Sequence, residues 1–350
     1  MLKTIALLMP SLNEESSAAT TLDSIFRSTR LPDEIIVADG GSTDRTLEIV
    51  SQYQNRGVDL IVVNNPEVFA GAGRNLAFSY SKSDILMLMD FGNVVEPDWI
   101  EKMAKPFELE STMDFVSGAF LPKSESDFEH AVACILYHNN ALIDKIPLAE
   151  LMEKLPSDQS PGALSLAISR DMWIKLDGMP AWLRAAEDKL FGRKMMTFQP
   201  TYKLLPNVRI GHHMRSNMMQ VFKQMQTYYR GNGRTCLLHK HVIKLLLLYL
   251  ISFALLPLAY VNPSVLAAML ILWGAYNWKS GVSKIIKVDS GLTNKRYIWY
   301  ATKIVMARDL GILSGTILGW LDWFFTPIFK RKYAEYVANT PLAKQTLTIL

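Results

Sequence analysis

Up to about residue 90, short apolar runs alternate with amphipathic stretches. Thr4–Met9 is an apolar run stopped by Pro10, and Ser16–Arg30 carries Ala19, Leu22, Ile25 and Phe26 at helical spacing. Glu34–Ala38 is a second run, closed by Asp39-Gly40-Gly41; Thr43–Tyr53 then reads as a helix, Leu60–Val63 as a strand, Gly71–Ser81 as a helix and Ile85–Met89 as a strand. Strand patterns separated by helical ones predict βαβ units, hence an α/β fold with a mostly parallel sheet. In such sheets the ligand lies beyond the carboxyl ends of the strands. Three polar clusters, Ser11–Glu15, Asp39–Asp44 and Asp90–Asn93, fall at those ends.

The pattern changes after residue 240. Leu245–Trp278 is a run of 34 residues without Asp, Glu, Lys, Arg or His. A bilayer span takes ~20 apolar residues, and one helix of this length would reach ~50 Å against a hydrocarbon core of ~30 Å. Val261-Asn262-Pro263 divides the run, because proline disfavours helix at the residue before it, so residues 242–278 read as a hairpin. The total composition, 49% hydrophobic and 20% charged with net charge +4, conceals this: residues 1–240 hold 25 Lys+Arg and 29 Asp+Glu, and residues 241–350 hold 12 and 4. Lys240 and Lys244 precede the hairpin, and Lys279, Lys284, Lys287, Lys295, Arg296 and Lys303 follow it. Positive residues collect on the cytoplasmic side, so both hairpin ends are expected there.

No signal-peptide pattern is read at Met1–Met9, which runs directly into Pro10. The expected placement is therefore integral to the cytoplasmic (inner) membrane, with the first part facing the cytoplasm. A third apolar segment, 304–329, is interrupted by Arg308, Asp309 and Asp322 and followed by Lys330-Arg331-Lys332. It reads as re-entrant or interfacial, with a third span as the alternative. The resulting division is an α/β domain at 1–215, an interfacial amphipathic helix and linker at 216–240, a membrane region at 241–330 and a tail at 331–350. Cys134 and Cys236 lack CxxC spacing, so neither a disulfide framework nor a zinc site is implied.

Each polar cluster suits phosphate or sugar chemistry. Asp39-Gly40-Gly41-Ser42-Thr43-Asp44 sets a carboxylate at a strand end ahead of a capped helix start, where phosphate is attracted. Gly71-Ala72-Gly73-Arg74-Asn75 adds an Arg suited to a phosphate oxygen, but no GxxxxGK[ST] follows and a P-loop is not supported. Asp90 ends an apolar strand, and a single carboxylate can anchor a divalent ion that also binds phosphates. Glu187-Asp188 precede the apolar stretch Leu190–Met196; they serve either the helix dipole or, in a cleft, as a general base. Met218, Val221, Phe222, Met225, Tyr228 and Tyr229 make an apolar stripe at helical spacing, with Lys223 and Arg230 available to lipid headgroups or a diphosphate.

Pro10-Ser11-Leu12-Asn13-Glu14-Glu15, Asp39–Asp44, Gly73-Arg74-Asn75, Asp90 and Glu187-Asp188 occur in an order that resembles the family 2 glycosyltransferases, over about residues 3–235. The resemblance implies a GT-A fold and transfer of sugar with inversion from a nucleotide-diphospho-sugar. Around the donor it implies Pro10, Asn13, Glu14, Asp39, Gly40, Ser42, Arg74, Asn75 and Asp90, with Glu14 and Asp39 at the nucleoside and Arg74 near the base or diphosphate. It implies Asp188 as catalytic base, paired with Glu187, and Asp90 as the first residue of a DxD motif holding Mg²⁺ or Mn²⁺. The sequence departs at Gly92, where the second Asp stands in the family; Asn93, His212 or His213 are the substitutes at hand.

Pro161–Ile168 with Leu176–Pro180, and Gln224–Arg234, resemble stretches of membrane-associated members. Ser165, Gln224 and Arg230 are thereby expected on the acceptor or diphosphate side. The implied partners are a nucleotide-diphospho-sugar, a lipid-linked or glycan acceptor and membrane lipids, with no nucleic acid. The implied setting is cell-envelope polysaccharide or glycolipid synthesis. A catalytically inactive, membrane-anchored nucleotide-sugar scaffold or sensor is the alternative that Gly92 supports, and a soluble nucleotidyltransferase is a third reading.

Overall fold

A computed structural model describes residues 2–143, 162–235, 240–291, 295–338, 340 and 342. Pro161 of the first resembling stretch, Cys236 of the linker and most of the tail beyond Ala338 lie outside the described residues.

The chain divides into two compact units. The first comprises residues 1–121, 148–213 and 332–350, and the second residues 122–147 and 214–331. In the first unit, β1 (Ile5–Ser11), β2 (Glu34–Asp39), β3 (Asp59–Asn64) and β4 (Ile85–Leu88) form the parallel half of a sheet. Helices α1 (Ala18–Phe26), α2 (Thr46–Ser51) and α3 (Ala70–Tyr80) connect them. All seven elements read from the alternating pattern are present. The sheet continues through β5 (Asn93–Val95), β6 (Phe115–Lys123), β7 (Leu166–Ser169) and β8 (Tyr202–His213) in the order β3-β2-β1-β4-β7-β6-β8-β5. Here β4/β7, β6/β7 and β5/β8 pair antiparallel.

Side chains alternate across a strand, and both faces of this sheet are apolar. Ile5, Leu7, Met9, Ile35, Val37 and Met87 face one core with Leu22 and Ile25 of α1 and with Trp99 and Met103 of α4 (Trp99–Leu109). Ala6, Leu8, Ile36, Leu86 and Leu88 face another with Trp173 of a short helix at Arg170–Lys175 and Phe191 and Met195 of a helix at Glu187–Met196. Burial on both faces requires the near-continuous apolar runs seen in the sequence. The registers Ser11↔Asp39 and Asp39↔Asn64 level the carboxyl ends of β1, β2 and β3.

In the second unit, α5 (Asp127–Leu136) precedes the short α6 (His138–Ala141). With Arg170–Lys175 as α7 and Glu187–Met196 as α8, the next helices are α9 (Met218–Gly233), α10 (Lys240–Val261) and α11 (Pro263–Asn277). They are followed by α12 (Ser283–Val288), α13 (Lys295–Phe325) and α14 (Pro327–Val337), whose residues from Lys332 onward group with the first unit. The hairpin break falls at Asn262, whose side chain caps the next helix by accepting the Ser264 N–H at 3.0 Å. α10 and α13 are long and apolar enough to cross a membrane. The third apolar segment lies mostly within α13, one unbroken helix of 31 residues.

The apolar stripe of α9 is partly spent inside this unit. Val221 is buried, and Met225 packs with Val242, Leu245 and Ile312. Gly311, Gly315 and Gly319 of α13 let the two helix backbones meet: a Cβ at Gly315 would stand 2.3 Å from the Gln226 carbonyl oxygen. Arg230 and Arg234 then pair with Asp322 at 2.8 and 2.7 Å.

Candidate active site

The loop after β1 and the loop after β2 are tied together by their own polar groups. Asn13, at φ 56, accepts the Thr43 N–H on Oδ1 at 2.9 Å and donates its own N–H to Ser42 Oγ at 2.8 Å. The Glu14 N–H donates to Thr46 Oγ1 at 2.7 Å, and the Glu14 carboxylate accepts from the Ser17 hydroxyl. Asp39 is only 4% exposed; its carboxylate accepts the N–H groups of Gly41 and Ser42 and the Ser42 hydroxyl at 2.6–3.0 Å. Gly40 N–H donates to the carbonyl of Ser11, which follows Pro10 at the end of β1. Asp39 thus builds the turn that follows β2.

The chemistry gathers around Arg74, on α3 and almost wholly buried. Its guanidinium lies 2.5 Å from Asp90 Oδ1 and 3.4 Å from Glu187 Oε1, with the Met179 sulfur at 3.8 Å. Three separate elements, α3, the end of β4 and the start of α8, are therefore joined by one cation. Asp90, Glu187 and Asp188 hold the guanidinium above its ordinary value against the opposing effect of burial. For Glu187, burial and then the charge of Asp188 push the carboxyl up to about 7, while Arg74 pulls it down. Asp188 is half-buried; its Oδ1 accepts the Lys189 N–H at 2.7 Å, and Oδ2 lies 3.5 Å from the Ala163 N–H. Asn75 is spent on the neighbouring loop, exchanging two hydrogen bonds of 2.8 Å with the backbone of Met179.

Gly92 has a structural reason to be glycine. Residues Asp90–Asn93 form a turn in which Asn93 N–H approaches Asp90 O at 3.4 Å and Gly92 adopts φ +84. A side chain there is strained, as glycine is the residue that takes this region freely. Thr21, which the sequence reading missed, fixes the turn from α1: its Oγ1 accepts the Gly92 N–H at 3.0 Å and donates to the Asn93 carbonyl at 2.9 Å.

Asn93 is 1% exposed and faces His212 across the β5/β8 ladder, with Oδ1 2.8 Å from His212 Nδ1. His213 is exposed and, next along the strand, points to the opposite face. Among the described residues no three His, Cys, Asp or Glu side chains are grouped to hold a metal ion. Asp90, with a side chain 39% exposed, nevertheless fits a Mg²⁺ or Mn²⁺ ion that takes one carboxylate and completes its shell with phosphate oxygens and water.

The residues expected on the acceptor side make contacts of their own. Ser165 is buried and its Oγ accepts the Trp99 indole N–H at 3.0 Å, a packing role. Gln224 and Arg230 belong to the second unit. There Gln224 donates to the hydroxyls of Tyr137 and Tyr228, and Arg230 pairs with Asp322.

Residues 6–164 match the profile described as Glycosyl transferase family 2. An uncharacterized glycosyltransferase of Haemophilus influenzae is 24% identical over 203 residues, 57% of this chain and 65% of that protein. Hyaluronan synthase of Streptococcus pyogenes is 30% identical over 114 residues, 31% of this chain and 27% of the synthase. The chain thus spans less than two thirds of the length of these relatives. Among solved structures, the mannosyltransferase of Pyrobaculum calidifontis, in complex with GDP-Man and Mn²⁺, aligns over 90% of this chain and 87% of its own with a TM-score of 0.54 and 17% identity. Sequence match and fold agree: residues 6–164 match glycosyl transferase family 2, and the fold is of the GT-A type.

Proposed function

We propose that this chain is an inverting glycosyltransferase that moves a sugar from a nucleotide-diphospho-sugar to a lipid-linked or membrane-proximal glycan acceptor at the cytoplasmic face of a membrane. The observation that carries the reading is the junction at Arg74, which brings Asp90 at a strand end and the Glu187–Asp188 pair into one cluster. The donor lies along the loops fixed by Asn13, Asp39 and Ser42. Asp90 is the residue that would hold a divalent ion, which when bound supplies positive charge against the departing diphosphate. Asp188 takes the proton of the acceptor hydroxyl while that oxygen bonds to the anomeric carbon from the face opposite the leaving group. Glu187, paired with Arg74, fixes the start of α8 and so the direction of Asp188.

A membrane site is supported by the outer faces of α10 and α11. Phe253, Val261 and Ile271 are 74%, 72% and 71% exposed, an apolar surface that water disfavours and lipid accepts. The relationship to a hyaluronan synthase supports a glycan acceptor. The scaffold reading draws on Gly92 and on the engagement of Asn93 with His212, which leave Asp90 as the one carboxylate at the turn. To test the proposal, the full-length protein in lipid nanodiscs receives radiolabelled UDP- and GDP-sugars and a membrane lipid extract, with and without EDTA. Transfer that EDTA suppresses, with an inverted anomeric configuration in the product, is expected. Nucleotide-sugar binding without turnover of any donor would establish the scaffold instead.

A further inference from the structure

The loop Leu176–Pro180, which leads towards the Glu187–Asp188 pair, is held by a residue far along the chain. Tyr336 of α14 donates its hydroxyl to the Gly178 carbonyl at 2.9 Å. Its ring lies against Lys194, whose Nζ stands 3.9 Å from the ring centroid and donates to the Leu176 carbonyl at 2.7 Å. Lys194 belongs to α8, the helix that begins with Glu187. A single side chain therefore touches both the loop and the catalytic helix. Tyr333 and Val337, on the same face at helical spacing, are 4% and 1% exposed. Burial keeps the Tyr336 hydroxyl well above its ordinary value, so it remains a donor.

The loop needs such support because its backbone is unusual. Asp177 and Gly178 both adopt left-handed conformations, at φ 58 and 65, a cost for Asp177 that the surroundings must offset. A Cβ at Gly178 would come 2.5 Å from Asn75 Oδ1, which shows how closely the loop is pressed onto α3. From Gly178 the next residue is Met179, gripped by Asn75 and set with its sulfur against the Arg74 guanidinium. Arg74 in turn meets Glu187.

We infer that Tyr336 is a positioning residue for the Glu187–Asp188 pair, strapping the loop 176–180 and helix α8 together so that the carboxylates are held for transfer. The chain beyond the apolar helices is then a working part of the catalytic unit, where the sequence suggested a tail. This rests on the glycosyltransferase reading for its consequence, and on geometry alone for the strap.

The test compares full-length wild type with Tyr336→Ala and Tyr336→Phe in nanodiscs. Hydrogen exchange reads the strap, and the ratio of sugar transfer to donor hydrolysis reads positioning, because that ratio does not depend on the fraction of folded enzyme. In Tyr336→Ala, amides of 176–180 and the first turn of α8 are expected to exchange about 10-fold faster, because one hydrogen bond and one cation–π interaction no longer hold the loop. Amides of β1 should be unchanged. The transfer-to-hydrolysis ratio should fall by a similar factor while affinity for UDP or GDP stays the same. Tyr336→Phe, which keeps the ring, should fall between. Unchanged exchange at 176–180, a uniform acceleration that includes β1, or an unchanged ratio would each overturn the inference. If wild type turns over no donor, the glycosyltransferase reading fails and Tyr336 loses its positioning role, while exchange still reports whether the strap exists.

Discussion

Replacing Arg74 by Met removes the cation between Asp90 and Glu187 but keeps a long apolar side chain in its place. Glu187 is 9% exposed, and its carboxyl is raised from 4.5 to about 7 by burial and by Asp188 even with Arg74 opposing. A carboxyl raised on folding keeps a proton that the unfolded chain has shed. The stability tied to it is therefore complete below 4.5 and declines as pH rises towards about 7, where wild-type Glu187 ionises. Without Arg74, Glu187 keeps its proton further, and the decline continues. The difference between variant and wild type should grow by about 1.4 kcal/mol per pH unit above neutrality and by almost nothing below about pH 6. From about pH 6 to about pH 8.5 the penalty should thus widen, by at most roughly 2 kcal/mol. Urea unfolding of both proteins at the two pH values, followed by the fluorescence of Trp99 and Trp173 in the core of the first unit, measures this widening. A penalty of equal size at both pH values would mean that Arg74 serves packing alone, and the electrostatic account of the cluster would be wrong.

Other substitutions test other joints. Gly92→Ala forces a side chain onto φ +84 and should cost roughly 1–2 kcal/mol, read as a lower midpoint in the same urea experiment. Gly315→Ala would press a methyl group into the Gln226 carbonyl, 2.3 Å away. Separation of α9 from α13 should lower the thermal midpoint of the solubilised protein, with a penalty of about 1–3 kcal/mol.

The sequence disclosed the parallel half of the sheet because β1, β2 and β4 are buried on both faces, which demands continuous apolar runs, and each connecting helix has a polar side. The antiparallel half is a different matter. β5 and β8 are separated by more than a hundred residues, and nothing in the local pattern announces that Asn93 will lie opposite His212. Residue type and position sufficed to single out Asp90, Glu187 and Asp188 at element ends, and the structure brings Asp90 and Glu187 together on Arg74. Side-chain direction was not legible. Ser165 stands in a stretch read as approaching the acceptor, yet it faces Trp99. Asp39 was read as a contact for the nucleoside; that its oxygens also accept hydrogen bonds from Gly41 and Ser42 of its own loop was not legible in the sequence. The roles of Thr21 and Tyr336 depend on partners distant in sequence, which no periodicity reports.

The central claim is that Asp188 deprotonates the acceptor in a cleft that binds the donor by other means. It is tested most directly by Asp188→Asn, assayed for sugar transfer and for nucleotide-sugar affinity in the same preparation. Transfer should fall by about 10²–10⁴-fold, the usual contribution of a general base, with donor affinity unchanged. Transfer at the wild-type rate would remove Asp188 from the chemistry and contradict the account.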